Sequence, residues 1–432
     1  MALKDIEKYF TIGRSTRPAA PLNTNGDASN CPPAQASSGA FHLPAVPRIG
    51  RSDPLLRIVD TFAPANPVSN PEYFVGRLTQ RTQLVAAIEE HRNHLLLIGP
   101  RGSGKTSLAL CLLAAANKQE YLTVYLSCSR SSSFDSVFRS AFAAIPLRYD
   151  SGSEAGNSPN KSFASLADSE TLTSQTVGEL LSRVSGTRIL IALDEIDLVH
   201  GGRITTEILE LMKHLSDHAA AVHMILIGVA GSFEDIFGQQ HSIPRSLFRM
   251  KLDHMTDNEV AEVIKALTKM VHMDIDSQAL EEMVRLAQGK LFVAKLVALK
   301  AAKIALGRAS RTIEMIDFHS AMDCVGEYFH SAGYNELQAM VRQNPSLQAI
   351  LRTIIRTIRE AGDRFTVDQI SGQCEFQPGL QRIPRQQVES VLQTLAESGN
   401  FLSMTEQGGE STFQFIDPDI ELALALASHE AA

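Results

Sequence analysis

The sequence predicts an α/β protein: a parallel sheet covered by helices, then a helical subdomain, then a small module of helices and one hairpin. Three observations carry that prediction. Four apolar segments of strand length (94–99, 121–128, 188–194 and 223–230) alternate with helical patterns, as strands buried on both faces of a parallel sheet do. From Thr256 to about Phe329 the periodicity is helical throughout. Beyond about Asn344 the chain reads as helices followed by two short strands around Gly408-Gly409.

Taken in order, residues 1–54 read as a flexible N-terminal tail. Pro, Ala, Ser, Asn and Gly dominate 17–50, too little apolar surface to offset the entropy of ordering. Asp5–Phe10 reads as a frayed terminus, with a short helical docking turn as the alternative. The α/β core is placed at 55–254. HLLLIG (94–99) is a buried strand, and the helix after it runs from Lys105 to about Asn117, with Leu108, Leu112 and Leu113 packed on the sheet. YLTVYLSC (121–128), RILIALD (188–194) and HMILIGVA (223–230) supply three more strands, and the polar stretch 151–170 is a surface insertion. A helical subdomain occupies 255–343. Residues 344–432 hold a helix (Leu347–Ala361), FTVDQIS, a second long helix (about Pro384 to Ser398) and a hairpin (401–417), the element order of a winged helix.

Composition narrows the function. The chain has 432 residues, 44% of them apolar and 20% charged, enough for two or three domains and unlike collagen, coiled coil or a wholly disordered chain. The longest apolar run, Leu108–Ala116, is far short of a membrane span, and the charged opening MALKDIEKYF is unlike a secretory leader. Cys31, Cys111, Cys128, Cys324 and Cys374 are scattered, with no metal or CxxC spacing, and read as reduced thiols of a cytoplasmic protein. Cys111 and Cys128 are expected to be buried as small hydrophobes. None of the 13 histidines has a ligand spacing such as HExxH. A net charge of −8 offers no bulk basic field for nucleic acid.

One motif carries chemistry. Gly99-Pro100-Arg101-Gly102-Ser103-Gly104-Lys105-Thr106, closed by Ser107, fits G-x-x-x-x-G-K-[ST] in full, directly after a buried strand and opening a helix. Glycines let successive N–H groups turn toward phosphates, the helix N-terminus adds partial positive charge, and Lys105 reaches the β- and γ-phosphates. The Thr106 hydroxyl is a ligand for Mg²⁺. A second strand ends in Asp194-Glu195-Ile196-Asp197 and delivers two adjacent carboxylates at its C-terminal edge, where ligands of such sheets bind. Asp194 is placed on Mg²⁺ through water, and Glu195 orients and activates the attacking water. Asp197 reads as a cap on the next helix. The pair of motifs predicts ATP and Mg²⁺ as cofactors.

Together these residues resemble the AAA+ ATPases, within them the origin-recognition-like branch and a group of bacterial ATP-binding proteins. The resemblance covers about 55–330 and extends weakly into the winged helix. Tyr73-Phe74-Val75-Gly76-Arg77 resembles the family's F-x-G-R box, which implies that Phe74, Val75, Gly76 and Arg77 contact the adenine. Asp194-Glu195 matches its D-E pair. Ser232 lies where the family has its sensor 1 polar residue. Ser242–Arg249 resembles the arginine-finger segment, which implies Arg245, with Arg249 second, as a finger acting on a neighbouring subunit's γ-phosphate. Phe292 stands at the lid's usual sensor 2 arginine, with Lys290 or Lys295 as substitutes.

The resemblance implies an ATP-hydrolysing switch or remodelling enzyme with slow turnover, which forms homo-oligomers with ATP and acts on a macromolecular partner. DNA through the winged helix is one such partner, but from Leu347 to Ala432 six basic residues face twelve acidic ones. Arg382, Arg385, Gln386 and Gln387 are the base-reading side chains there, and a protein partner is the expectation. The alternatives are an ATP-regulated DNA-binding initiator or transposition regulator, and a signalling NTPase of a bacterial defence system with a separate effector. No membrane association is expected.

Overall fold

The computed structural model describes residues 53–151, 162–167, 171–199, 203–238, 245–330, 350–351, 353–354, 357, 364–374, 383–397, 402–407 and 410–415. The N-terminal tail before residue 53, most of the 151–170 insertion and the Gly408-Gly409 turn lie outside these residues. Contacts divide the chain into two units, 1–50 with 66–254, and 51–65 with 255–432. Helix α1 (Pro54–Phe62) therefore groups with the second unit, although the core read from the sequence begins at Leu55. Its buried Ile58 and Phe62 explain the placement: α1 packs on a helix of the second unit, Leu291–Gly307.

In the first unit, α2 (Leu78–Glu89) precedes β1 (His94–Gly99), and α3 (Lys105–Asn117) leads to β2 (Leu122–Ser127). Next come α4 (Phe134–Ala144), α5 (Ser174–Ser182), β3 (Ile189–Asp194), α6 (Arg203–Asp217) and β4 (Val222–Val229). A short helix α7 (Glu234–Phe237) and β5 (Leu247–Lys251) complete it. All strands pair in parallel in the order β2-β3-β4-β1-β5. Every residue of β1 and β3 is buried, as expected of central strands with helices on both faces. One core layer holds Phe138, Phe142, Ile191 and Leu226; the opposite layer holds Leu97, Leu108, Leu112 and Ile225. The four predicted strands sit within a residue of their observed ends.

β5 was not foreseen. LFRMK carries two cations and buries only Leu247 and Met250, so its strand character comes from pairing with β1 at the sheet edge.

In the second unit, α8 (Asp257–Met270), α9 (Ser277–Ala287), α10 (Leu291–Gly307) and α11 (Met315–His330) pack on one another and on α1. Thr256 and Glu259 form a capping box at the start of α8, and the Asp276 carboxylate caps α9. The helical reading missed one feature: β6 (Asp274–Ile275) and β7 (Thr312–Ile313) make a two-residue parallel pair. Farther on lie β8 (Arg364–Thr366), α12 (Val367–Cys374), α13 (Arg385–Glu397), β9 (Leu402–Gln407) and β10 (Glu410–Phe415). The strands pair antiparallel in the order β8-β10-β9, and Phe365, Phe413, Ile370 and Leu392 are buried. No helix among the described residues is long and apolar enough to cross a membrane.

Candidate functional site

The loop between β1 and α3 is shaped by glycines at two points. Gly99 has φ +147°, and a Cβ there would lie 2.1 Å from the Leu252 carbonyl oxygen, so no side chain fits. Gly104, the residue before α3, has φ +91°, a left-handed conformation that L side chains rarely adopt. Between them Arg101 and Gly102 are exposed, Pro100 is half-buried and Ser103 is buried.

Lys105 is 6% exposed. Its ammonium donates to the carbonyls of Gly99 (2.9 Å) and Pro100 (2.7 Å) and reaches Ser103 Oγ at 3.5 Å. Burial pulls its pKa down to about 8, with Asp194 and Asp197 pulling the other way. This is a buried cation held on neutral carbonyls at the mouth of the loop.

β3 brings its carboxylates to the same edge. Asp194, 5% exposed, accepts hydrogen bonds on Oδ2 from Thr106 Oγ1 and the Tyr125 hydroxyl, both at 2.8 Å. Its Oδ1 accepts the Glu195 N–H at 2.8 Å. Glu195 is exposed and has φ +57°, a strained conformation for a non-glycine residue of the kind found at functional sites. Its Oε2 accepts a hydrogen bond from Ser127 Oγ at 2.6 Å. Thr106 and Asp194 offer only oxygens, the donor set of a hard divalent cation such as Mg²⁺, so the residues fit that ion.

Tyr125 and Ser127 were not singled out in the sequence. They alternate with buried Val124 and Leu126 on β2, and Ser127 lies opposite Asp194 in the strand register. The alternation T-V-Y-L-S within an apolar strand was the available signal. Burial and the adjacent Asp194 hold the Tyr125 phenol far above its usual pKa, so it is a hydrogen-bond donor. Cys111 and Cys128 are buried thiols, as expected, and burial pushes Cys128 up to about 12.

Other predicted residues take definite places. Phe74 is buried, and its side chain belongs to the same core layer as Leu84, Leu108 and Leu112, which leaves half-buried Val75 and Gly76 as the open part of the box. The Arg77 guanidinium donates to the Asp253 carbonyl and reaches that of Ser103, tying the box to the loop. Ser107 Oγ accepts the Val68 N–H at 3.1 Å, so this hydroxyl anchors the segment ahead of the box. Asp197 Oδ1 accepts the Val229 N–H at 2.8 Å and ties the end of β3 to the end of β4. Ser232 lies half-buried in the turn after β4, its N–H bonded to Asp235 Oδ2. β4 lies beside β1, with Val229 paired to Gly99, so this turn leaves the sheet next to the loop.

The two arginines differ. Arg245 is exposed, just ahead of β5. Arg249 sits on β5 with its guanidinium 4.9 Å from the Phe233 ring centroid, a cation–π contact within its own chain. Lys295 is also occupied: it is 5% exposed in α10 and donates to the Ala63 carbonyl at 3.2 Å, and burial lowers its pKa to about 8. Phe292 and Lys290 lie at the start of the same helix. Arg382 lies outside the described residues, whereas Arg385 pairs with Asp368 at 2.7 Å.

Residues 88–237 match the family model for the AAA domain. No curated protein matches the chain in sequence. Among solved structures, a Walker-type ATPase of Pyrococcus abyssi is 19% identical, with a TM-score of 0.49 over 83% of this chain and 98% of that one. A Drosophila ORC structure bound to DNA is 12% identical, with a TM-score of 0.46 over 91% and 96%. The Aeropyrum pernix ORC1 protein in complex with DNA is 16% identical, with a TM-score of 0.43 over 83% and 93%.

Proposed function

We propose that this chain, which carries an AAA domain over 88–237, binds and hydrolyses ATP as a switch that assembles with ATP and acts on a macromolecular partner. The observation that supports this best is the cluster at the carboxyl ends of β1 and β3. There a buried lysine, a threonine hydroxyl bonded to a buried aspartate and an exposed glutamate converge on one glycine loop. Phosphoryl transfer needs positioning and charge stabilisation more than covalent chemistry, and these groups supply both.

In this reading the N–H groups of Gly99 and of 101–107 and the Lys105 ammonium bind the phosphates, the ammonium trading its carbonyls for phosphate oxygens. Thr106 and Asp194 hold magnesium, which when bound neutralises phosphate charge. Glu195 accepts a proton from the attacking water, and Ser127 holds that carboxylate on β2. Val75 and Gly76 line the base, and Ser232 is the polar residue at the γ-phosphate end. Arg245 is the finger presented to a second copy, since Arg249 is engaged by Phe233. We read β8 to β10 as a winged helix. The Arg385–Asp368 ion pair offsets a cation at the start of its second helix and favours a protein partner over DNA.

The experiment is mass in solution with ATP and with ADP, using Glu195→Gln to hold ATP. Assembly with ATP that is lost in Arg245→Ala is expected. A monomer in both states refutes assembly, and failure of the wild-type chain to bind ATP refutes the whole reading.

A further inference from the structure

Tyr125 has no role in the reading above, yet its hydroxyl sits on the carboxylate assigned to the divalent cation. β2 runs parallel to β3 with Tyr125 opposite Ala192 and Ser127 opposite Asp194. Tyr125 therefore lies two residues back along the strand, roughly 6.6 Å at about 3.3 Å per residue. A serine or threonine at that position falls short of Asp194. The length of the phenol closes the gap, and its hydroxyl donates to Asp194 Oδ2 at 2.8 Å.

A carboxylate has about four acceptor directions. On Asp194, Thr106 Oγ1 and the Tyr125 hydroxyl take two on Oδ2, and the Glu195 N–H takes one on Oδ1. The carboxylate plane is thereby held at three points from three elements: α3, β2 and its own backbone. Ser127, farther along β2, holds the neighbouring Glu195 instead, so the two hydroxyls of one strand face divide the two carboxylates between them.

We propose that Tyr125 is a positioning residue for divalent-cation binding: its hydroxyl orients Asp194, the carboxylate that would hold the cation of the nucleotide complex. This rests on the reading of the site as one for ATP with magnesium. Outer-sphere hydrogen bonds of this kind typically carry roughly 10- to 100-fold in metal affinity. Tyr125→Phe keeps the ring and its packing and removes only the donor.

The test uses the full chain and a fluorescent ATP analogue, with binding followed from EDTA through a Mg²⁺ titration, and Mn²⁺ binding followed by paramagnetic resonance. Tyr125→Phe should need at least about tenfold more Mg²⁺ for half-maximal enhancement of nucleotide binding, the lower end of that range, with unchanged affinity in EDTA. Mn²⁺ affinity in the presence of nucleotide should fall by the same factor. In an Asp194→Asn background the Tyr125→Phe change should add nothing. A Mg²⁺ titration that superimposes on wild type overturns the proposal, as does an affinity that falls equally in EDTA, or a full effect that persists in Asp194→Asn. Wild-type protein that binds no nucleotide at any Mg²⁺ concentration overturns the site assignment itself, a different outcome from a variant that matches a functional wild type.

Discussion

Acid should destabilise this protein well above the pH at which its carboxylates titrate, and the reason lies beneath the loop-bearing strand. His94, the first residue of β1, is 1% exposed, and burial lowers its pKa to about 3. One ring nitrogen, Nδ1, accepts the Met224 N–H at 3.0 Å, while Nε2 lies 3.0 Å from the Met212 carbonyl. Protonation would set a second N–H against the Met224 N–H. His223, 4% exposed and 6.0 Å away ring to ring, is lowered to about 4 by burial, with Arg92 and Arg188 adding to it. Both folded-state values lie below the unfolded value near 6.5, so the unfolded chain binds more protons and stability falls as pH drops below that value. At pH 5 each ring costs about 2 kcal/mol relative to pH 7.5, about 4 kcal/mol together, while most carboxylates are still ionised. That is a large share of the stability of an ordinary domain. Urea unfolding of the full chain at pH 7.5, 6 and 5 reads it directly. His223→Leu should keep its stability at pH 7.5, because the buried His223 Nδ1 makes no hydrogen bond, and should halve the loss at pH 5. Stability that is flat across this range, or a His223→Leu loss equal to wild type, would refute the argument.

Three further outcomes follow from particular contacts. Gly99→Ala puts a methyl group 2.1 Å from the Leu252 carbonyl at φ +147°, and should cost about 3 kcal/mol or more in chemical denaturation. Ser127→Ala removes the bond that holds the Glu195 carboxylate and should lower ATP turnover by about 2- to 12-fold, the equivalent of one hydrogen bond of about 0.5–1.5 kcal/mol; an unchanged or higher turnover would refute the holding role. Lys295, lowered to about 8 against 10.5 unfolded, makes stability rise as pH climbs from 8 to 10.5, and Lys295→Met should flatten that rise in a pH series of thermal unfolding.

The glycine loop and the acidic strand end were legible because their determinants are local. Glycine spacing, a buried strand before it and a helix after it define the loop at 99–107, and the apolar run ending in Asp194-Glu195 marks its own strand end. Burial of Cys111 and Cys128 followed from the same apolar runs. Features that depend on a partner were not legible. Leu247–Lys251 is a strand only because β1 offers its edge, and its two cations conceal it in the sequence. The bond from the Val229 N–H to Asp197 likewise exists only because β4 lies beside that strand end. The hydrogen bond that Lys295 donates to the carbonyl of Ala63, far earlier in the chain, is of the same kind.

What the sequence determined by itself was where a glycine loop joins a buried strand to a helix and which strand ends in acids, since both follow from residue type and spacing along a few consecutive positions. Only the tertiary structure decided which side chains answer those acids. Tyr125 and Ser127 reach Asp194 and Glu195 because β2 and β3 lie side by side in parallel register, and register is set by how two distant segments pair, which neither segment encodes alone.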